Sequence, residues 1–399
     1  MANMSAAASH SSHLRPLEGV RVLTIENFVA GPFCTMWLAD AGAEVVKVES
    51  PAGDFSRTTS PLRTDENNAP RALSFLRVNR NKKSITLDLK TKEGKETFLA
   101  LARKADIVVE NLRPGAMDRL GIGYETLSVE NPRLIYVAIS GFGQKHILPS
   151  PYIDRPAFDI IGQALSGLMY RPDRQDESPV YLGFSLADIN SGIVAAYGAM
   201  LALFQRTVTG KGQLVDISLY DAALIMNEIS VAIFSAFKKL SKPGIHAVAS
   251  PFGAYRVKDG FVAVAVLGEH VWRRFCEILR KPELLDDPRF VSGVSRCDHK
   301  EDLNRIINPW FLERTGAEVE TIFAEGGVPA SVIQDVDGVL KCPHLAARDM
   351  IRTLNDPAWG EIEIVGNPVK MSAVPPIETR PPPELGGDTE EVLQNWLGR

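Results

Sequence analysis

Residues 19–50 read GVRVLTIENFVAGPFCTMWLADAGAEVVKVES. An apolar run, Val20 to Ile25, suits a buried strand. A helical stretch around Met36, Trp37 and Leu38 follows and is stopped by Gly42, and AEVVKVES is a second strand. This is a βαβ unit. The pattern repeats: SITLDLK reads as a strand, KEGKETFLALARKA as an amphipathic helix, and DIVVENL and RLIYVAISGFG as further strands. Strands alternating with helices predict a parallel, doubly wound α/β sheet. Ligands on such sheets gather at the carboxyl ends of the strands.

Beyond this the spacing predicts a helix over 188–206, a turn at TGKGQ, a strand at QLVDISL and a helix over 220–240. SPFGAYRVKDGFVAVAVLG reads as a hairpin turning at Asp259-Gly260. Helices are expected after Val271 and over 300–326, strands at GVPASVIQDV and GEIEIVGNPVKM, and an extended proline-rich segment at PPIETRPPPELGG. The expected division is a disordered tail over 1–13, a large domain from 14–225 and 329–399, and a small α+β middle domain over 226–328.

Composition narrows the function. The 399 residues are 45% hydrophobic, 23% charged and carry a net charge of −5. That excludes a globally basic surface for nucleic acid. The opening MANMSAAASHSSH lacks the apolar core of a signal peptide, and no apolar run is expected to approach the roughly 20 residues of a membrane helix. Cys34, Cys276, Cys297 and Cys342 are widely spaced, without metal-ligand patterning. They read as free thiols of a reducing compartment. The expected address is the cytoplasm, with no metal, nucleic-acid or membrane partner.

GxGxxG, GxxxxGK[ST], GxSxG and HExxH are all absent. A basic cluster is present: Arg77, Arg80, Lys82, Lys83, Lys90 and Lys92, with Arg113 and Arg119 beyond. It reads as a phosphate-holding surface or as a solvated face. GFSLADINSG carries Asp188 where a polar loop meets an apolar helix. It is a helix N-cap or a reactive carboxylate.

Several segments together are similar to class III (CaiB/BaiF-type) CoA-transferases: PLEGVRVLTIENFVAGPFCTMWLADAGAEVVKVESPAGD, NRNKKSITLDLK, VENLRPGAMDRLGIGYETL, ISGFGQ, RPAFDIIGQALSG, TGKGQLVDISLYDA and GVPASVIQDV. The resemblance spans about residues 16 to 385. It implies a Rossmann-like large domain built from both chain ends, a small domain, and an interlocked homodimer. It implies that Asp188 is the catalytic aspartate, held ionised at a helix N-terminus. Asp188 would attack an acyl-CoA thioester and pass through a mixed anhydride and an aspartyl-CoA thioester. No cofactor beyond coenzyme A as substrate is implied.

By position, Lys90, Asn111 and Arg119 would line the CoA site, with Leu87 on the adenine side and Arg80, Lys83 and Arg113 as neighbours. Backbone amides near Gly31 or in SPFG would serve the oxyanion. Asp159 would support. Two departures stand out. Val29 occupies a position where some members carry Gln, and KHILPSPYID replaces the usual TGP-type run, so that His146 faces either a substrate or a loop surface.

The nearest rival is an α-methylacyl-CoA racemase, which supplies a His where this chain has Phe158. Phenylalanine carries no proton. A non-catalytic CoA-binding protein is the other rival. The expected substrates are an acyl-CoA, succinyl-CoA first, and a short dicarboxylic acid, for which Arg63, Arg71 and His146 are candidate contacts.

Overall fold

A computed structural model of the chain describes residues 15–170, 178–238, 240, 248–375 and 378–399. The expected tail over 1–13 lies outside them. The chain forms two compact units. The larger takes residues up to Met169, Tyr181–Asn227 and Leu345–Arg399; the smaller takes Tyr170–Val180 and Glu228–His344.

Six parallel strands form the centre of the larger unit: β1 (Arg21–Ile25), β2 (Glu44–Glu49), β3 (Lys83–Thr86), β4 (Ile107–Glu110), β5 (Ile135–Ser140) and β6 (Leu214–Ser218). Their order is β3-β2-β1-β4-β5-β6. Register is regular, with Leu23 opposite Val46 on one side and Val108 on the other. Both faces are covered, so β1, β4 and β5 are buried along most of their length and read as unbroken apolar runs. The order reverses between β1 and β4, which places the binding crevice of such a sheet at their carboxyl ends.

On one face lie helix α1 (Ala30–Asp40) and the 24-residue helix α2 (Leu186–Thr209). The buried side of α2 is a stripe of small residues, Ala187, Ser191, Ala195, Ala199 and Ala202. It packs on α1 so closely that a Cβ at Gly192 would stand 2.8 Å from the Ala30 carbonyl oxygen. By length and hydropathy this helix would suffice to cross a bilayer, which the sequence reading had not anticipated. Its buried stripe joins the core instead, with Ile135, Val137 and Ile139 of β5.

The expected single helix over 220–240 is two, Leu219–Ile225 and Glu228–Phe237. In the smaller unit, Phe252–Val257, Gly260–Ala265 and Ala330–Val332 form an antiparallel sheet whose hairpin turns at Lys258 and Asp259. Ala330–Val332 therefore belongs with this unit rather than with the chain's C-terminal part. The strand expected at GEIEIVGNPVKM is present as Gly360–Val365; the hairpin it forms and the helix that follows were not foreseen. Ile351–Asp356 pairs with Gly360–Val365 as a hairpin, and Thr389–Leu397 is a helix whose Val392 and Trp396 pack into the sheet's second core.

Candidate active site

The turn after β1 is held from three sides. Asn111, just past β4, accepts the Asn27 N–H through Oδ1 at 2.8 Å and donates from Nδ2 to the Asn27 carbonyl at 2.8 Å. A Cβ at Gly31 would lie 2.9 Å from Glu26 Cβ and 3.0 Å from Asn111 Cγ, so only glycine fits there. Lys82 Nζ donates to the Pro32 carbonyl at 2.9 Å. The first turn of α1 is thereby fixed where its backbone N–H groups are unpaired within the helix.

Asp188 sits on the third residue of α2, in the first turn. It is not the cap: Ser185 precedes the helix, without a capping side-chain bond. The capping oxygen comes from 29 residues upstream. Asp159 Oδ1 accepts the N–H of Ala187 at 2.7 Å and of Asp188 at 3.2 Å, and Gln163 Nε2 donates to Asp159 Oδ2 at 2.6 Å. Asp159 is 7% exposed and begins its own helix, Asp159–Leu165.

The sequence reading expected the helix terminus to keep Asp188 ionised. The structure corrects this. Burial first, and the Asp159 charge second, push Asp188 up to about 7, against a smaller downward pull from Arg77. The amides that would have stabilised it are committed to Asp159, and no described residue hydrogen-bonds its carboxylate.

Phe158 is 62% exposed and meets Phe28 edge to face at 5.8 Å, with Phe55 5.5 Å beyond. An apolar aromatic wall stands at the position where a racemase would need a proton carrier. Replacing Asp159 with Asn is expected to keep the hydrogen-bonded shape but remove the repulsion. The pH midpoint of activity should then fall below about 7. Asp159→Ala should also lose about 1–2 kcal/mol of stability with the cap. An unmoved pH midpoint in Asp159→Asn would show that the two carboxylates do not interact.

The residues expected around a CoA handle separate into two groups. Leu87 and Lys90 line a cavity of about 200 Å³ at the carboxyl ends of β1 and β2, together with Asn27, Gly53 and Leu120. Arg119, beside Leu120, and Arg113 are exposed on the neighbouring stretch. Asn111 reaches the same turn through Asn27.

Arg80 and Lys83 are elsewhere. Arg80 is buried and forked onto Asp40, at 3.0 Å and 2.6 Å, and Lys83 bonds Glu44 and Glu391 at the amino ends of β2 and β3. Neither guanidinium nor ammonium is free for a phosphate. His146 lies 3.6 Å from Glu125 and 4.0 Å from Asp118, beside Tyr124 and Gln144. It pairs with acids on the far side of β4. The Ser250–Gly253 amides belong to the other unit, and the first turn of α1 at Gly31 stands beside the Asp188 helix.

Sequence reasoning missed the buried network beneath this turn. Glu26 Oε1 accepts from Lys82 Nζ at 2.8 Å, and Lys47 Nζ donates to Asp54 Oδ2 and to the Glu26 carbonyl, each at 2.8 Å. Although burial opposes ionisation, Lys82 and Lys47 hold Glu26 below its usual range. Burial lowers Lys82 to about 8.

Fold and site together define a parallel α/β protein with a carboxylate pair at the N-terminus of the helix flanking its switch-point crevice. The profile of CoA-transferase family III matches residues 17–389, and the chain belongs to that family; it is a CoA-transferase. A succinyl-CoA:mesaconate CoA-transferase of Haloarcula hispanica is 36% identical over 380 residues, 94% of this chain and 95% of that one. A succinyl-CoA–D-citramalate CoA-transferase of Chloroflexus aurantiacus is 36% identical over 96% and 94%. The crystal structure of a CAIB/BAIF family protein from Brucella suis superposes with a TM-score of 0.82 at 31% identity, covering 96% and 99%.

Proposed function

We propose that the chain moves CoA from succinyl-CoA to a short dicarboxylic acid through covalent intermediates on Asp188. One observation carries this reading. A half-buried carboxylate without a hydrogen-bond partner among the described residues stands beside the crevice, its helix capped by another acid. The similar proteins named for succinyl-CoA and for dicarboxylate acceptors support the substrate class.

The ionised Asp188 attacks the thioester carbonyl and expels CoA thiolate, leaving a succinyl-aspartyl anhydride. The thiolate attacks the aspartyl carbonyl and releases succinate, leaving an aspartyl-CoA thioester. The acceptor carboxylate attacks that thioester carbonyl and frees the thiolate again. The thiolate then takes the acceptor acyl group and returns Asp188 to its carboxylate.

Each tetrahedral oxyanion would be met by amides of the first turn of α1 at Gly31. Leu87, Lys90, Asn111, Arg113 and Arg119 would line the CoA handle. With substrate laid against it, the Phe28–Phe158 wall would shield both intermediates from hydrolysis by water. No cofactor beyond CoA takes part in this scheme, and the enzyme works in the cytoplasm.

It acts as an interlocked homodimer. Tyr197, Leu201, Phe204 and Val208 form an exposed apolar stripe on α2, and Glu228–Phe237 has no buried residue while exposing Ile229, Val231, Phe234 and Phe237. Apolar patches of this kind mark interfaces. The large CoA-binding domain takes both chain ends, and the small domain the middle.

The test is mass spectrometry of the Asp188 peptide after incubation with succinyl-CoA and hydroxylamine. The expected result is a hydroxamate on Asp188. Absence of the adduct across a panel of acyl-CoAs, with deuterium entering the α-carbon in heavy water, would overturn the reading in favour of a racemase.

A further inference from the structure

A dicarboxylic substrate brings a second, non-reacting carboxylate into the crevice beside Asp188. A charged group withdrawn from water there needs a cation. The sequence candidates for that cation are committed elsewhere. Arg63 lies over the Trp359 ring at 4.4 Å. Arg71 binds Asp65 and Glu384. His146 sits between Asp118 and Glu125.

Arg77 is different. It directly follows the short helix Leu73–Leu76, and its own N–H returns to the Leu73 carbonyl at 3.2 Å. The next residues are pinned in place. Asn79 Nδ2 donates to the Phe75 carbonyl at 3.0 Å and its Oδ1 accepts from Lys82 Nζ at 2.9 Å, and Lys82 Nζ in turn donates to the Pro32 carbonyl of α1. The α2 helix meets that same end of α1 at Gly192. The Arg77 loop and the Asp188 helix therefore converge on one point.

The Arg77 side chain is exposed, and no described residue hydrogen-bonds or ion-pairs with its guanidinium. It nevertheless lies near enough to Asp188 for each charge to act on the other. The exposed rings of Phe28, Phe55 and Phe158 offer a surface for the methylene groups between two carboxyl ends.

Resting on the function proposed above, we propose that Arg77 receives the distal carboxylate of the dicarboxylic acyl group while Asp188 attacks its thioester end. A guanidinium suits this task because its planar fork accepts a carboxylate on two donors.

The test compares succinyl-CoA with butyryl-CoA, a four-carbon donor without the distal carboxylate. The readout is the ratio of kcat/KM for the two in wild type, Arg77→Gln and Arg77→Lys. The ratio cancels whatever Arg77 does to Asp188 itself. Wild type should favour succinyl-CoA, and Arg77→Gln should cut that preference by roughly 10- to 150-fold, the range of a charge-assisted bond. Arg77→Lys should restore part of it.

A preference for succinyl-CoA that survives Arg77→Gln overturns this assignment and leaves the proposed function standing. A wild type that uses butyryl-CoA as well as succinyl-CoA overturns the dicarboxylate reading itself. Circular dichroism of each variant confirms that the fold is kept.

Discussion

Asp188→Asn is expected to abolish turnover and, at alkaline pH, to stabilise the protein. Removing a nucleophile that forms every covalent intermediate costs on the order of 10⁴-fold or more in kcat. The stability effect follows from where the carboxylate sits. Its pKa is about 7, pushed up first by burial and then by Asp159, against an ordinary value near 4 when unfolded. The folded state thus binds this proton more tightly than the unfolded chain does. The resulting stability is fully present below pH 4 and is lost as pH rises through about 7. A carboxylate withdrawn completely from water would cost about 4 kcal/mol when ionised, and solvent reaching this half-buried group reduces that to about 1–2 kcal/mol. Asparagine has no charge to lose. Urea midpoints should therefore favour Asp188→Asn at pH 8 and coincide with wild type near pH 4. In wild type, acylation of Asp188 should rise with pH to about 7 and stay level above, because only the carboxylate attacks. Equal midpoints for the two proteins at pH 8 would sink the argument that ionisation of Asp188 strains the fold.

Much of this site was legible because it depends on local pattern. Continuous apolar runs at β1, β4 and β5 announce strands buried on both faces, and the break from GFSLADINSG into a long apolar helix locates Asp188. Phe158 is as informative in the sequence as in the structure. Its ring cannot carry a proton, wherever it points.

What the sequence concealed depends on partners far along the chain. Arg77, Arg80, Lys82 and Lys83 are near neighbours in one basic run, but the loop turns each a different way. Arg80 meets Asp40, Lys82 meets Glu26, Lys83 meets Glu44, and Arg77 alone of the four makes no hydrogen bond or ion pair through its side chain among the described residues. A charge run cannot distinguish a buried pair from a binding surface, since both use the same residue types. The role of Asp159 was half visible. Its nearness to Asp188 requires the fold, because the capped helix begins 27 residues after it.

The same buried pairing makes the turn vulnerable at one residue. Lys47 has no exposed side-chain surface, and its ammonium joins Asp54 Oδ2 to the Glu26 carbonyl. Asp54 in turn accepts from Ser56 N–H and hydroxyl, each at 2.8 Å. Lys47→Met preserves most of the apolar stem and removes the charge. Asp54 is left buried without its cation, and such losses cost about 3–5 kcal/mol. The pH response should change sign with the substitution. In wild type, although burial works against ionisation, Lys47 holds Asp54 below its usual range. That contribution is present above pH 4 and lost on acidification below it. In Lys47→Met the Ser56 hydrogen bonds still oppose burial, but burial is the largest influence on Asp54, so Asp54 should rise and stability should improve as pH falls from 7 towards 5. Adding Asp54→Asn to Lys47→Met should recover a large part of the loss, because no uncompensated charge remains. Urea unfolding of the single and double variants at pH 7 and pH 5 measures all three effects. A single variant that loses under about 1 kcal/mol would place Lys47 with ordinary surface pairs, and the first turn of α1 would then owe its position to Asn111 and Lys82 alone.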